Sequence, residues 1–139
     1  MSTSPADFNA KVIEEFRANG GRVGGPFEGL PLLLLHHTGA RSGAERVNPL
    51  AYARDGERYV VFASKAGAPE NPAWYWNLRA NPEAEIEVGT ERLAVRAEDA
   101  QGQERERLYA EQAARVPQFA EYERKTDRAI PVVVLTPAG

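Results

Sequence analysis

The residues best suited to chemistry lie in one stretch, residues 38–78. Thr38-Gly39-Ala40-Arg41-Ser42-Gly43 sets two glycines and an arginine in a turn, and Arg46-Val47-Asn48-Pro49-Leu50 follows directly. Glycine takes positive φ without a Cβ penalty, so backbone between Gly39 and Gly43 can curl and aim N–H groups at an anion. Arg41 and Arg46 bring full charges to the rim. Such a loop suits phosphate or carboxylate; taken alone, an ordinary connection with solvated arginines is the simpler alternative. Ala63-Ser64-Lys65-Ala66-Gly67 then adds a hydroxyl and an amine on a second turn. Asn71-Pro72-Ala73-Trp74-Tyr75-Trp76-Asn77-Leu78 adds a short aromatic helix.

Charge points the same way. The chain has 139 residues and a net charge of −3, yet residues 36–82 carry six Lys/Arg against four Asp/Glu. An acidic protein that gathers cations around one turn suits a small anionic ligand and lacks the extended basic face that nucleic acid requires. His36 and His37 are the only histidines. Neighbours on a strand point to opposite faces, so they cannot share a metal ion, and no metal site is expected. Either could act as acid or base. Without cysteine there is no disulfide or thiolate chemistry. No apolar run reaches the roughly 20 residues of a membrane-spanning helix, and no signal peptide opens the chain. One domain over residues 1–139, cytoplasmic and soluble, is expected.

The elements that must hold these groups follow from local pattern. Ser4 and Pro5 open an amphipathic helix with Phe8, Val12, Ile13 and Phe16 on one face, stopped by Gly20-Gly21. A glycine- and proline-rich lead-in follows, with Gly24, Gly25, Pro26, Gly29 and Pro31. That helix packs on the body of the domain or, alternatively, acts as a lid or a peripheral foot on a membrane. Residues 32–35, four leucines, read as a buried strand. Asp55-Gly56 is a hairpin signal between two strand-like segments. A two-residue turn there pairs Arg54 with Glu57, and so sets Val47 opposite Ser64 and Arg46 opposite Lys65. Like charges so placed make sense with an anion between them. Asn71-Pro72 caps a helix that ends at Asn81-Pro82, with Trp74, Asn77 and Leu78 on one face. Trp74 and Trp76 are either core or a wall for a planar ligand. Glu85-Ile86-Glu87-Val88, Gly89-Thr90 and Leu93-Ala94-Val95 form a second hairpin. A charged helix with Leu108, Tyr109 and Ala113 on one side comes next, then a short helix with Phe119 and Tyr122 one turn apart, then a last buried strand over residues 130–136. The sum is an α+β domain of about six mainly antiparallel strands, of a kind that can close on itself, with flanking helices.

Taken in order, these motifs, with Arg54-Asp55-Gly56, Asn77-Leu78-Arg79-Ala80-Asn81-Pro82 and Thr126-Asp127-Arg128-Ala129-Ile130-Pro131, resemble the deazaflavin (F420)-dependent nitroreductase and quinone reductase family over nearly the whole chain. The resemblance implies a split β-barrel. It implies reduced coenzyme F420 as the hydride source and an electron-poor planar acceptor such as a quinone, nitroaromatic or enone. Gly39, Arg41, Ser42, Gly43 and Arg46 are then the cofactor-tail loop. Asn48, Pro49, Leu50, Ala63, Ser64, Lys65, Ala73, Trp74 and Asn77 surround the ring, and Ser64 and Tyr122 serve catalysis. Val116, Phe119 and Ala51 stand where family members can carry tyrosines, which leaves fewer proton donors. Two alternatives are an FMN-dependent enzyme on the same barrel, which needs a more compact single-phosphate site, and a deazaflavin carrier or sensor without catalysis.

Overall fold

The structure, a computed structural model, describes residues 5–24 and 30–138. The expected cap Ser4 and the lead-in residues Gly25, Pro26 and Gly29 lie outside the described residues, as does the side chain of Phe8. Helix α1 (Pro5–Ala18) precedes strands β1 (Leu32–Thr38), β2 (Glu45–Asp55) and β3 (Arg58–Phe62), then helix α2 (Ala73–Ala80). Strands β4 (Glu83–Val88) and β5 (Glu91–Asp99), helices α3 (Gly102–Arg115) and α4 (Gln118–Lys125), and strand β6 (Val132–Pro137) complete the order. The six strands close into a barrel in the order β1-β2-β3-β6-β5-β4, every pair antiparallel.

The apolar runs are continuous where both faces of a strand are covered, and alternate where one face meets water. On β1, Leu33 and Leu35 point into the barrel with Ile86 and Val61, while Leu32 and Leu34 pack against Val12 and Phe16 of α1. That use of Val12 and Phe16 leaves them buried inside the protein. On β3 and β6, Tyr59, Val61, Val133 and Leu135 face the barrel interior. Val60, Phe62, Val132 and Val134 face Leu108, Tyr109 and Phe119 of the C-terminal helices. By contrast β4 alternates, with Ile86 fully buried between the outward-facing Glu85 and Glu87. Its hairpin to β5 closes on Val88 and Glu91, with Gly89-Thr90 as the turn, as the alternation predicts.

The first hairpin differs from expectation. Asp55 pairs with Arg58, and Arg54 with Tyr59, so the loop is Gly56-Glu57 and the register is displaced by two residues. Gly56 takes the first loop position at φ +63°, and Asp55 and Arg58 form an ion pair across the strand ends, which Arg107 of α3 joins through Asp55. A displacement of two keeps every side chain on its expected face. It does abolish the pairings of Val47 with Ser64 and of Arg46 with Lys65: the β2-β3 ladder ends at Tyr52 and Val61, and Arg46 lies opposite His37 on β1.

Side chains latch α1 to the barrel. Arg17 donates to Glu87 through Nη2 at 2.7 Å and Nε at 3.2 Å, and Glu87 also meets His36 Nε2 at 2.6 Å. The Arg17 hydrogen bond, with help from His36, holds the Glu87 carboxyl down to about 2. A carboxyl depressed on folding stabilises the native state above its unfolded value and loses that contribution as pH falls toward the folded one. Glu87→Gln should therefore cost about 1.5–3 kcal/mol near neutrality and cost progressively less from about pH 4 downward. Denaturant melts at both pH values check this, and parallel losses at the two would contradict it.

Candidate functional site

One end of the barrel opens into a cavity of about 1140 Å³. Its walls come from the loop of residues 39–44 between β1 and β2, from β2 itself, from the turn after β3, and from α2 and α4. Thirteen of the expected site residues meet there: Gly39, Arg41, Ser42, Arg46, Asn48, Pro49, Leu50, Ser64, Lys65, Ala73, Trp74, Asn77 and Tyr122. Gly43 and Ala63 do not line it. Gly43 sits at the outer bend of its loop at φ +71°, and Ala63 is fully buried in the barrel core. Ala51, Phe62 and Phe119 supply apolar wall; His37 and Trp76, which the sequence offers as an acid–base group and as a wall for a planar ligand, also line it, and Leu30 and Gln118 are lining residues that the sequence pattern does not single out.

The loop uses its glycines differently from one another. Gly43 needs its positive φ, whereas a Cβ on Gly39 would stand 2.6 Å from Ser42 Oγ and 3.4 Å from Arg46 Nε. Gly39 is thus a close-approach position that lets the hydroxyl and the guanidinium crowd over the backbone. The expected nest of N–H donors is mostly closed internally. Gly39 N–H donates to Ala44 O at 2.8 Å, Gly43 N–H to Gly39 O at 2.9 Å, Ala44 N–H to Ser42 Oγ at 3.2 Å, and Ala40 N–H to Asn77 Oδ1 at 2.9 Å. What the loop offers an anion is its side chains: Arg41, Ser42 and Arg46 are exposed at the rim.

The second turn is a single 3-10 turn, Lys65–Gly67. Lys65 adopts φ +46°, the one non-glycine in the left-handed region among the described residues, a conformation that persists only where the surroundings enforce it. Arg128 is that enforcement. Its guanidinium donates to the carbonyls of Ala68 (3.0 Å), Ala63 (3.1 Å) and Ser64 (2.9 Å), and to Asn71 Oδ1 at 2.5 Å. Asn71 therefore does not cap α2 as expected; Pro72 holds the cap position without a side-chain bond. Gly67 completes the arrangement at φ +83°, since a Cβ there would lie 3.0 Å from Lys125 Cβ and 3.2 Å from Tyr122 O. The turn and α4 thus lie in direct contact, and Ser64 and Tyr122 face one cavity. Ser64 is buried as a residue, and its hydroxyl, which has no partner among the described residues, opens onto the cavity. The expected cation Lys65 instead pairs with Glu70 at 2.8 Å on the exposed side of the turn.

Trp74 is 5% exposed and packs in the barrel core, so only part of it reaches the cavity; Trp76, 50% exposed, is an aromatic ring at the rim, edge-on to Tyr75. The two histidines diverge as expected. His36 bridges Glu45 and Glu87, while His37 turns inward to Asn48 and Asn77. No cluster with metal-ligand geometry occurs among the described residues.

The sequence matches the model of the F420H(2)-dependent quinone reductase family over residues 10–137. The chain belongs to that family. Like other members of the F420H(2)-dependent quinone reductases, it is an oxidoreductase that uses coenzyme F420. It is 42% identical over 125 residues to an F420H(2)-dependent quinone reductase of Mycobacterium tuberculosis (strain ATCC 25618 / H37Rv), covering 87% of this chain and 84% of the relative. The solved structure of an F420-H2 dependent reductase, FDR-A, superposes with a TM-score of 0.70 at 39% identity over 76% of this chain and 93% of that one. The haem storage protein HutZ of Vibrio cholerae, at 17% identity and a TM-score of 0.59 over 94% and 91%, shares the fold alone. The chemistry of the lining is compatible with the family's cofactor: exposed cations at the Gly39 loop suit an anionic group, and the Ser64 hydroxyl, without a partner among the described residues, lies beside apolar walls that suit a planar one.

Proposed function

We propose that the protein reduces an electron-poor planar acceptor of the quinone class with reduced F420 held in this cavity. Arg41, Ser42 and Arg46 hold the anionic tail, and Ser64 and Tyr122 act at the reacting end. The observation that carries this is the polarity of the cavity: cations ring the loop side, whereas the α4 side presents the Ser64 hydroxyl, the Tyr122 phenol and the Phe62 and Phe119 rings. Bound there, reduced F420 supplies the hydride.

The protein supplies position and protons. Pro49, Leu50, Ala51 and Phe119 exclude water from the ring and acceptor, which strengthens each polar contact that remains. The Ser64 hydroxyl, held by the Arg128-clamped turn, donates a hydrogen bond where negative charge develops. The Tyr122 phenol is positioned to give the acceptor oxygen its proton, and Phe119 one turn back offers only an apolar face. Full reduction of a nitroaromatic consumes several protons, so with one phenol in the pocket nitroaromatics are secondary acceptors in this scheme, whereas a quinone or an enone needs one proton beside the hydride.

Turnover of reduced F420 with menadione, read by the return of deazaflavin absorbance, tests the proposal. Tyr122→Phe and Ser64→Ala should each slow turnover by about 10–100-fold while F420 affinity stays within about threefold. Tight F420 binding with no oxidation by quinones, nitroaromatics or enones would make the protein a carrier.

A further inference from the structure

Beneath the loop runs a buried chain of polar groups whose polarity one donor decides. The Ala40 backbone N–H can only donate, and it donates to Asn77 Oδ1 at 2.9 Å. Asn77 must then present its Nδ2 hydrogens to His37 Nδ1, 3.0 Å away. That nitrogen therefore accepts, which leaves the imidazole hydrogen on Nε2, facing Asn48 Oδ1 at 2.7 Å. With its oxygen taken, the Asn48 amide keeps two N–H donors. They have no partner among the described residues, no buried side-chain nitrogen is left unsatisfied there, and Asn48 is a half-buried wall of the cavity. Those donors consequently open toward the cavity.

We propose that His37 is a positioning residue that locks this chain in one polarity, so that Asn48 forms a donor subsite for a carbonyl-bearing heteroaromatic edge. The subsite rests on the assignment of the cavity to F420, whose pyrimidine-dione edge carries carbonyls of that kind. The same chain ties the anion loop to the ring site, because Asn77 holds Ala40 on one side and His37 on the other. Protonation of His37 would set an N–H at Nδ1 against the Asn77 amide hydrogens. Asn77 must then turn over and release Ala40, which loosens the loop that carries Arg41.

The groups around the ring favour the neutral form. Burial pushes the His37 pKa down, and Arg46 directly across the ladder and His36 beside it push the same way, against the hydrogen bond to Asn48. From α2 the contact is the neutral amide of Asn77. The ring thus stays neutral through ordinary cellular pH and charges only in acid.

Two measurements test this. Long-range ¹H–¹⁵N spectra of the cofactor-free wild type should show His37 neutral at about pH 7 with its proton on Nε2; a charged ring or an Nδ1-H tautomer overturns the polarity. Fluorescence titration with F420 should show wild-type affinity falling severalfold as the pH drops from about 7 into the acid range where His37 charges. His37→Gln, which offers one acceptor and one donor but does not titrate, should lack that fall beyond what the ligand's own ionisation imposes on both proteins. Asn48→Asp, which replaces the free donors by an acceptor, should lose about 10–100-fold at neutral pH. Equal pH profiles for wild type and His37→Gln, or full affinity in Asn48→Asp, overturn the positioning role and the subsite respectively. If the wild type binds no F420 at any pH, the cofactor assignment and the subsite both fall, while the imidazole spectrum still decides the polarity.

Discussion

Arg128→Ala is expected to destabilise the protein by about 2–4 kcal/mol and to remove most F420 affinity and turnover together. One guanidinium satisfies three backbone carbonyls and the Asn71 amide at once, over distances of 2.5–3.1 Å. Its loss strands those acceptors and releases Lys65 from its left-handed conformation. The side chain is half-buried, and that burial lowers the Arg128 pKa. Arg128→Lys should recover little, because an ammonium is a point charge and cannot span a fork of three carbonyls. Millimolar guanidinium added to the alanine variant should restore part of the turnover. A variant with wild-type melting temperature and wild-type F420 affinity would show that the turn holds itself.

Arg41→Ala and Arg46→Ala should each weaken F420 by about 10–100-fold, equivalent to about 1.5–3 kcal/mol per charge-assisted contact. Folding should be unaffected, since both side chains are exposed at the rim. The binding they support should weaken with added salt, more steeply in wild type than in either variant. Lys65→Ala, by contrast, should change affinity little, because its amine is engaged with Glu70 away from the tail. Fluorescence titrations across a salt series decide this. Unchanged affinity in both arginine variants would move the tail elsewhere.

Much of this architecture could be read from pattern, and the exceptions have physical causes. The β4-β5 hairpin followed from strict alternation ended by Gly89-Thr90, and β1, β3 and β6 from apolar runs covered on both faces. The β2-β3 register slipped by two because Asp-Gly favours the loop itself, whereas here Asp55 is a strand end held by Arg58 and Arg107. The positive contribution of Arg107 comes from a helix some fifty residues away, beyond the reach of any turn rule. The cavity residues came together largely as expected, with Gly43 and Ala63 as exceptions and Lys65 turned toward Glu70. Neither the clamp made by Arg128 nor the positioning role proposed for His37 is legible in the sequence, for a common reason. Each acts on groups with no signature in sequence, backbone carbonyls in one case and amide orientation in the other.

The closing seam of the barrel has a consequence for how the chain breathes and for what it avoids. β1 and β4 meet over only three residue pairs, from Leu34 with Glu87 to His36 with Glu85, the shortest ladder of the six. A closed sheet leaves no free edge for a foreign strand to extend, so this seam is where amyloid-like pairing would have to begin. Amide protons along it should exchange with deuterium before those of β3 and β6, and Glu87, gripped by Arg17 from outside and His36 from beneath, acts as a clasp over the place where the wall would part.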